Sequence, residues 1–437
     1  MIEYRNLRVA VLGAGSVGAQ VASLLLEHGD ELAGRVGAGL ELVGVAVRDP
    51  KAKRTADIPQ HLITTDAHSL ILGADIVVEL MGGLEPAREY LELAMNSGAD
   101  VITANKALLA THGPELFAIA EQVGAQLYYE AAVGGAIPII RPLRDSLAGD
   151  RVHRILGIVN GTTNYILDRM DTEGDSLEEA LAAATELGYA EADPTADIGG
   201  YDAAQKASIL ASLAFHTTVP LPSVYREGIE KVTHAQVAAA RAAGYVVKLL
   251  AVCERLVDAA TGTEGVSARV HPALVPRDHP LAAVHGANNA VFLEAEAAGS
   301  LMFYGAGAGG VPTASAVLGD VVSAARRHVI GGPGVAESTS SDLPILPISS
   351  VTTRYQITLE VADRPGVLAQ IATLFSEHGV SVEAVQQSVR ADGDAATATL
   401  VIGTHEATES ALAATVASLD ATESVAEVTS VLRVEGS

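Results

Sequence analysis

The hydrophobic positions of this chain fall into short runs separated by turn residues. Leu7-Arg-Val-Ala-Val-Leu12 is apolar enough and short enough to be a buried strand, and Gly13-Ala-Gly-Ser-Val-Gly18 follows it directly. Past the glycines the spacing changes, and Val21, Leu24 and Leu25 share one face of a helix. Strand-like runs recur over 41–47, 75–80, 99–103 and 125–130, with helical patterns over 86–97 and 114–123 between them. Strands that alternate with helices predict parallel βαβ units.

The pattern breaks at Gly134-Gly-Ala-Ile-Pro138. Longer helical stretches follow over 176–187, 201–215 and 234–243, with strands over 152–159, 245–254 and 265–271, which reads as a second, α+β domain. A glycine-rich stretch at 305–310 leads into a helix over 312–328 that should pack back on the first domain. Gly331-Gly-Pro-Gly334 and the Ser/Thr/Pro-rich residues after it read as a linker. Residues 354–437 look independent, with strands over Tyr355–Val361, Val380–Gln386, Thr397–Ile402 and Val425–Val434 and helices over Val367–His378 and 408–419. That βαββαβ order is ferredoxin-like. The expected division is a nucleotide-binding domain over 1–133 with 305–335 returning to it, a catalytic and dimerisation domain over 134–304, a linker over 336–353 and a regulatory domain over 354–437.

Composition narrows the function. With 437 residues, 49% of them hydrophobic and 19% charged, the chain is globular and long enough for several cores. Its formal charge of −25 argues against partners rich in phosphate, so no nucleic acid and no membrane surface is expected. A small anionic substrate stays compatible, because local fields can oppose the global one. Cys253 is the one cysteine, which rules out a disulfide within the chain and fits a reducing compartment. Met1-Ile-Glu-Tyr-Arg5 lacks the layout of a signal peptide, and no run approaches the roughly 18 apolar residues of a membrane span. A cytoplasmic protein is predicted. Cys253 sits in an apolar strand and reads as a structural thiol, and the histidines, His271 and His279 included, show no metal-ligand spacing.

The Gly13, Gly15, Gly18 triplet between a strand and a helix is the context that a dinucleotide-binding loop requires. The first glycine permits the turn, the second lets the backbone approach a pyrophosphate, and the third allows close packing. Ser16 and Val17 then open a helix whose N-terminus faces the phosphates. At the end of the second strand Arg48 is followed by Asp49, Lys51, Lys53 and Arg54. A basic cluster there suits the 2′-phosphate of NADP. It reads equally as a solvated turn, and Asp49 keeps NAD possible.

Asp202 and Lys206 are four residues apart and so neighbours on one helix face. Ile209, Leu210 and Leu213 share that face, which points Lys206 toward the apolar side. Such a lysine is either an acid and base poised between desolvation and a carboxylate, or half of a structural pair whose ammonium snorkels outward.

Several motifs resemble homoserine dehydrogenases. They are Asp197-Ile-Gly-Gly200-Tyr-Asp202-Ala-Ala-Gln-Lys206 after Asp193-Pro194, Gly157-Ile-Val-Asn160-Gly-Thr162-Thr-Asn-Tyr-Ile-Leu167, Thr103-Ala-Asn-Lys106, and Tyr129-Glu-Ala-Ala-Val-Gly-Gly-Ala-Ile-Pro138. The match is collinear over residues 1–330. The last segment, with Asp363-Arg-Pro-Gly366-Val-Leu368, resembles an ACT domain. Gly199 departs from the family pattern, in which many members carry glutamate.

The resemblance implies the following. The fold is α/β, with a Rossmann domain, an α+β catalytic domain and a ferredoxin-like ACT domain. The enzyme interconverts L-homoserine and L-aspartate 4-semialdehyde with NADP or NAD, in the biosynthesis of threonine, methionine and isoleucine. Lys206 is the proton donor and acceptor, with Lys106 near the nicotinamide and substrate. Glu191, Asp202, Asp197 and Thr162 hold the substrate, whose ammonium needs carboxylates around it. Gly188, Gly305 and Gly307 border the cofactor. A monovalent cation, sodium, is bound by Glu130 and the backbone carbonyls of Val133, Gly135 and Ile137, unless that segment is only a domain-crossing turn. L-threonine binds as effector around Asp363, Gly366, Val367 and Leu368, at a helix N-terminus. The alternative there is a pairing module without a ligand. A paired ACT domain implies a homodimer or homotetramer, and the absence of a preceding kinase segment implies the monofunctional form. Other readings are a different amino-acid dehydrogenase, such as one acting on aspartate, and a non-catalytic NADP-sensing regulator.

Overall fold

The computed structural model describes residues 5–259, 261–332, 341–390 and 397–436. Residues 336–340 of the expected linker, Pro333 and Gly334, and the first four residues of the N-terminal reading lie outside the described residues. The chain forms two compact units. One contains the described parts of 1–161, 202–224 and 288–342, the other those of 162–201, 225–287 and 343–437.

The first unit is built on a six-stranded parallel sheet. In spatial order its strands are Ile63–Thr64, Leu40–Ala46, Leu7–Leu12, Ile76–Glu79, Asp100–Thr103 and Leu127–Tyr128. This is the doubly wound order in which the chain reverses direction beside the first strand and leaves a crevice at the carboxyl ends. Val9, Val11, Ile76, Val78 and Ile102 are fully buried, as strands covered on both faces require. The expected returning helix spans Gly310–Ile330 and packs Ala314, Val317, Val321 and Ala325 with Val21, Ala22 and Leu25 of helix Ser16–Glu27. A smaller antiparallel sheet orders Val152–Ile158, Asn288–Ala295 and Gly299–Ala306.

Local chemistry explains where these elements depart from the pattern. The helix expected from 114 begins at Lys106, because the Asn105 side chain accepts a hydrogen bond from Leu108 N at 3.1 Å and caps it there. Pro114 lies inside that helix instead of starting it. The strand expected over 125–130 contracts to Leu127–Tyr128, because Glu130–Ala132 turn into a short 3-10 helix. Helix Gly29–Val36 carries glycines that hide it from a propensity reading. The glycine-rich stretch divides, with Gly305 and Ala306 ending a strand and Gly310 opening the returning helix.

The second unit contains helices Leu177–Glu186 and His234–Ala242, each started by a reciprocal capping box, Ser176 with Glu179 and Thr233 with Gln236. Its long hairpin pairs Tyr245–Val257 with Glu264–Pro276 along their whole length. The C-terminal strands follow the order Val425–Val434, Thr352–Ala362, Thr397–Thr404, Val382–Arg390, as in a ferredoxin-like sheet. Tyr355, Ile357, Leu359 and Val361 point into a core with Ile371, Phe375, Leu412 and Leu419. This domain is less independent than its sequence suggests. Its last strand pairs in parallel with Glu264–Pro276, through Ala273–Arg433 and Leu274–Val434, so the two sheets are continuous. Arg269, 1% exposed, donates to Glu254 within the hairpin at 2.9 Å and across that junction to Glu435 at 3.1 Å. No helix among the described residues is long and apolar enough to cross a membrane.

Candidate active site

The glycine loop has the shape of a phosphate cradle. Gly13 has φ +97°, and a Cβ there would lie 2.7 Å from the Leu80 carbonyl oxygen. A Cβ on Gly18 would lie 2.0 Å from the Gly13 oxygen, so the third glycine is required for packing. A Cβ on Gly15 would meet nothing within 4 Å, and that open space borders the N-terminus of helix Ser16–Glu27. The loop after the second strand closes beside it, with Gln20 Nε2 donating to the Thr55 carbonyl at 3.2 Å. In that loop Arg54 donates to the carbonyls of Asp49, Pro50 and Ala52, and Asp49 accepts from Lys51 N at 2.8 Å. Arg48, Lys51 and Lys53 are exposed.

Two helices bring a pair of lysines onto one carboxylate. Lys206 Nζ lies 2.8 Å from Asp202 Oδ2, one turn earlier on helix Tyr201–Phe215, and donates to the Val159 carbonyl at 2.6 Å. Lys106 Nζ, from the first residue of its own helix, lies 3.1 Å from Asp202 Oδ1. Asn160 Nδ2 adds a hydrogen bond to Asp202 Oδ2 at 3.0 Å. Burial alone would push the Asp202 carboxyl up. Lys206, Lys106 and the hydrogen bond from Asn160 overcome it and hold the group at about 2, so Asp202 is ionised throughout the neutral range. Lys206 is only 9% exposed, whereas the Lys106 side chain is 38% exposed.

Lys106 is itself braced. Asn105 donates to the Gly83 carbonyl at 2.6 Å, and Thr103 donates at 2.6 Å to the fully buried Glu79, which accepts the Met81 and Gly82 amides. Asn160, Asn105 and Glu79 were not singled out from the sequence. Asn160 and Asn105 carried a signal, since they sit in the Asn-Gly-Thr-Thr-Asn and Thr-Ala-Asn-Lys motifs, whereas Glu79 carried none.

Of the other sequence-predicted residues, Thr162, Gly188, Glu191 and Asp197 belong to the second unit. There Thr162 Oγ1 donates to the Tyr189 carbonyl at 2.7 Å, and the rings of Tyr165 and Tyr189 lie 5.0 Å apart. The hydroxyl of Thr162 thus braces the segment that carries exposed Glu191. Gly188 has φ +76° just past helix Leu177–Glu186.

In the 130–137 segment the Glu130 carboxylate is already committed. It accepts the amides of Ile139, Ile140 and Arg141 at 2.6–2.9 Å and Arg141 Nε at 3.0 Å. Gly135 has φ +64°, and a Cβ there would lie 2.2 Å from the Gly307 carbonyl oxygen. Asp320 accepts the Glu130 amide at 2.9 Å, and burial pushes its carboxyl up to about 7. Among the described residues no three His, Cys, Asp or Glu side chains are grouped to hold a metal ion. Cys253 is buried, and that burial pushes its thiol up to about 12, as a structural thiol requires. In the C-terminal domain Gly366 has φ +93° and precedes helix Val367–Glu377, with Leu368 exposed beside it.

A doubly wound sheet, an open phosphate cradle and a buried lysine–carboxylate pair define a nicotinamide-nucleotide oxidoreductase with a regulatory-type C-terminal domain. Three family models match the chain. The homoserine dehydrogenase NAD-binding domain covers residues 13–130, homoserine dehydrogenase covers 138–322, and the ACT domain covers 355–423. The homoserine dehydrogenase of Corynebacterium glutamicum is 53% identical over 429 residues, 98% of this chain and 95% of the relative. The crystal structure of a homoserine dehydrogenase from Thiobacillus denitrificans superposes with a TM-score of 0.90 at 38% identity, covering 99% of both chains. A hyperthermophilic archaeal homoserine dehydrogenase in complex with NADPH superposes with a TM-score of 0.61 at 27% identity, over 76% of this chain and 99% of that one. The chain belongs to the homoserine dehydrogenase family, NAD(P)-dependent oxidoreductases that act on a CH–OH group.

Proposed function

We propose that Lys206, held by Asp202, moves the proton in the interconversion of L-homoserine and L-aspartate 4-semialdehyde. The bridging of Lys106 and Lys206 by the one carboxylate of Asp202 carries this reading. When bound, the nicotinamide supplies or takes up the hydride at its C4. In the reducing direction the aldehyde oxygen gains negative charge. The two ammonium groups stabilise that charge without having to reorganise, since Asp202, itself held by Asn160, fixes both lysines and the Val159 carbonyl also holds Lys206. Lys206 then delivers a proton to the oxygen, and in the oxidising direction it takes the proton back. Glu191 and Asp202 hold the polar groups of the substrate, with Asp197 and Thr162 nearby. Thr162 supports Glu191 through Tyr189.

The same reading extends to the ligands. Gly13, Gly15, Ser16, Val17 and Gly18 hold the pyrophosphate, with Gly188, Gly305 and Gly307 beside the cofactor. NADP is preferred, because Arg48 is exposed beside Lys51 and Lys53, while Asp49 is used within its own turn. A sodium ion at 130–137 would take backbone carbonyls only. Those of Val133, Gly135 and Ile137 accept no turn or loop hydrogen bond among the described residues, whereas the Glu130 carboxylate is occupied. L-threonine is the effector at Asp363, Gly366, Val367 and Leu368, and the enzyme works in the cytoplasm as a homodimer or homotetramer. NADPH oxidation with aspartate semialdehyde as substrate tests the activity, and no turnover at neutral pH would overturn it.

A further inference from the structure

The turn that starts the Asp202 helix is gripped by a segment with no part in the proton transfer. Residues 225–229 lie along residues 198–200 of the same unit. Arg226 places its guanidinium carbon 3.5 Å from the centre of the Tyr201 ring and donates to the Gly199 carbonyl. Ile229 N donates to the Ile198 carbonyl at 2.7 Å. The approach is so close that a Cβ on Gly228 would lie 2.2 Å from the Ile198 oxygen. A Cβ on Gly199 would lie 2.7 Å from the Thr195 carbonyl oxygen and 2.9 Å from the Tyr201 ring that Arg226 covers. Gly200 has φ +76°, and Asp202 follows Tyr201 directly.

The same segment is tied to the C-terminal domain. Tyr225 and Arg226 pair with Arg269 and Val270, and Glu227 N donates to the Val270 carbonyl at 2.8 Å. Glu227 Oε2 accepts Arg433 Nη1 at 3.1 Å. Arg433 also donates twice to the buried Glu409, at 2.8 and 3.0 Å, and lies over the rings of Tyr225 and Tyr355. Glu409 opens helix Glu409–Asp420 and accepts the Tyr355 hydroxyl at 2.9 Å.

We propose that residues 225–229 are a coupling strap, in which Arg226 is a positioning residue that sets the entry of the Asp202 helix and the Glu227–Arg433–Glu409 clasp reports the state of the C-terminal domain to it. The proposal rests on Asp202 and Lys206 being the catalytic pair. A shift of helix Glu409–Asp420 alters how Arg433 holds Glu227, and the strap carries that change to Gly199 and Tyr201. A rotation of the helix start re-aims the Asp202 carboxylate, and with it both lysines.

Full-length Arg226→Ala, Arg226→Lys, Glu227→Gln, Arg226→Ala/Glu227→Gln and Lys206→Ala test this, with kcat, KM and NADPH affinity measured for each. Arg226→Ala should lower kcat by about 10- to 100-fold with NADPH affinity unchanged, a loss typical of small misplacements at a reacting centre. Arg226→Lys, which keeps the donor to Gly199, should recover part of that loss. Glu227→Gln should lower kcat by roughly 3- to 10-fold and add nothing to Arg226→Ala, because coupled residues are not additive. Wild-type kcat in Arg226→Ala, with Lys206→Ala inactive, overturns the strap and leaves the catalytic reading standing. Wild-type turnover in Lys206→Ala removes both. If Arg226→Ala does not fold, wild-type kcat in Glu227→Gln overturns the strap by itself.

Discussion

Asp202 and Lys206 form a 2.8 Å ion pair one helical turn apart, and the second oxygen of the same carboxylate reaches Lys106 on another helix. One buried acid thus fixes two cations at the carboxyl edge of the sheet. Lys206→Ala is expected to cut kcat by about 100- to 10,000-fold, the usual worth of general acid–base catalysis. NADPH affinity should stay at the wild-type value, as titration by fluorescence would read.

Asp202→Asn removes the anion between two lysines. Breaking a buried ion pair typically costs roughly 3–5 kcal/mol, so urea unfolding at neutral pH should show a clear loss. The pH dependence has a definite sign. The folded carboxyl lies at about 2, below its ordinary 3.8, so its contribution is complete above 3.8 and is lost as the pH falls toward 2. The stability gap between wild type and Asp202→Asn should therefore narrow on acidification through that window, and a constant gap would contradict it.

Asp320 behaves oppositely. Its carboxyl is raised to about 7 by burial, so the folded chain holds a proton that the unfolded chain releases near 3.8. Stability should fall as the pH rises from 3.8 to about 7. Asp320→Asn should flatten that slope in thermal unfolding followed by circular dichroism.

Arg48→Ala should raise the KM for NADPH by about 10- to 100-fold, the worth of one charge-assisted hydrogen bond of roughly 1.5–3 kcal/mol. The KM for NADH should not change. An equal rise for both nucleotides would place the 2′-phosphate elsewhere.

Asp363→Ala should weaken inhibition by L-threonine while leaving the melting temperature in place, because Asp363 is exposed. Deleting residues 350–437 is a poorer test. It removes Glu435 from buried Arg269 and strips strand Val425–Val434 from the sheet beside it. Such a truncation should lower the melting temperature as well as the response to threonine.

Much of the fold was legible in the chain. Val-, Ile- and Leu-rich runs bounded by glycines marked the parallel strands, because a strand buried on both faces has no polar positions to interrupt it. Helix Tyr201–Phe215 was readable to the residue, since its apolar face is continuous from Ala203 to Phe215. The start of the helix at Lys106 was not, because it depends on an asparagine cap and tolerates Pro114 inside. The hairpin Asn288–Ala295 and Gly299–Ala306 is not legible either, since its second strand starts at Gly299 and runs at Gly305 into the glycine-rich stretch, which suggests a loop.

The sequence by itself determined the parts that depend on short spacings. These are the glycine cradle, set by steric limits over six residues, and the Asp202–Lys206 pair, set by the helical repeat. Tertiary structure alone decided that Lys106 shares the Asp202 carboxylate, from almost a hundred positions away. It also turned the Glu130 carboxylate toward three amides and joined the last strand to Glu264–Pro276. The physical reason is common to all three. A buried charge or an open strand edge must find a partner, and which partner it finds depends on how the chain folds back rather than on neighbours along it.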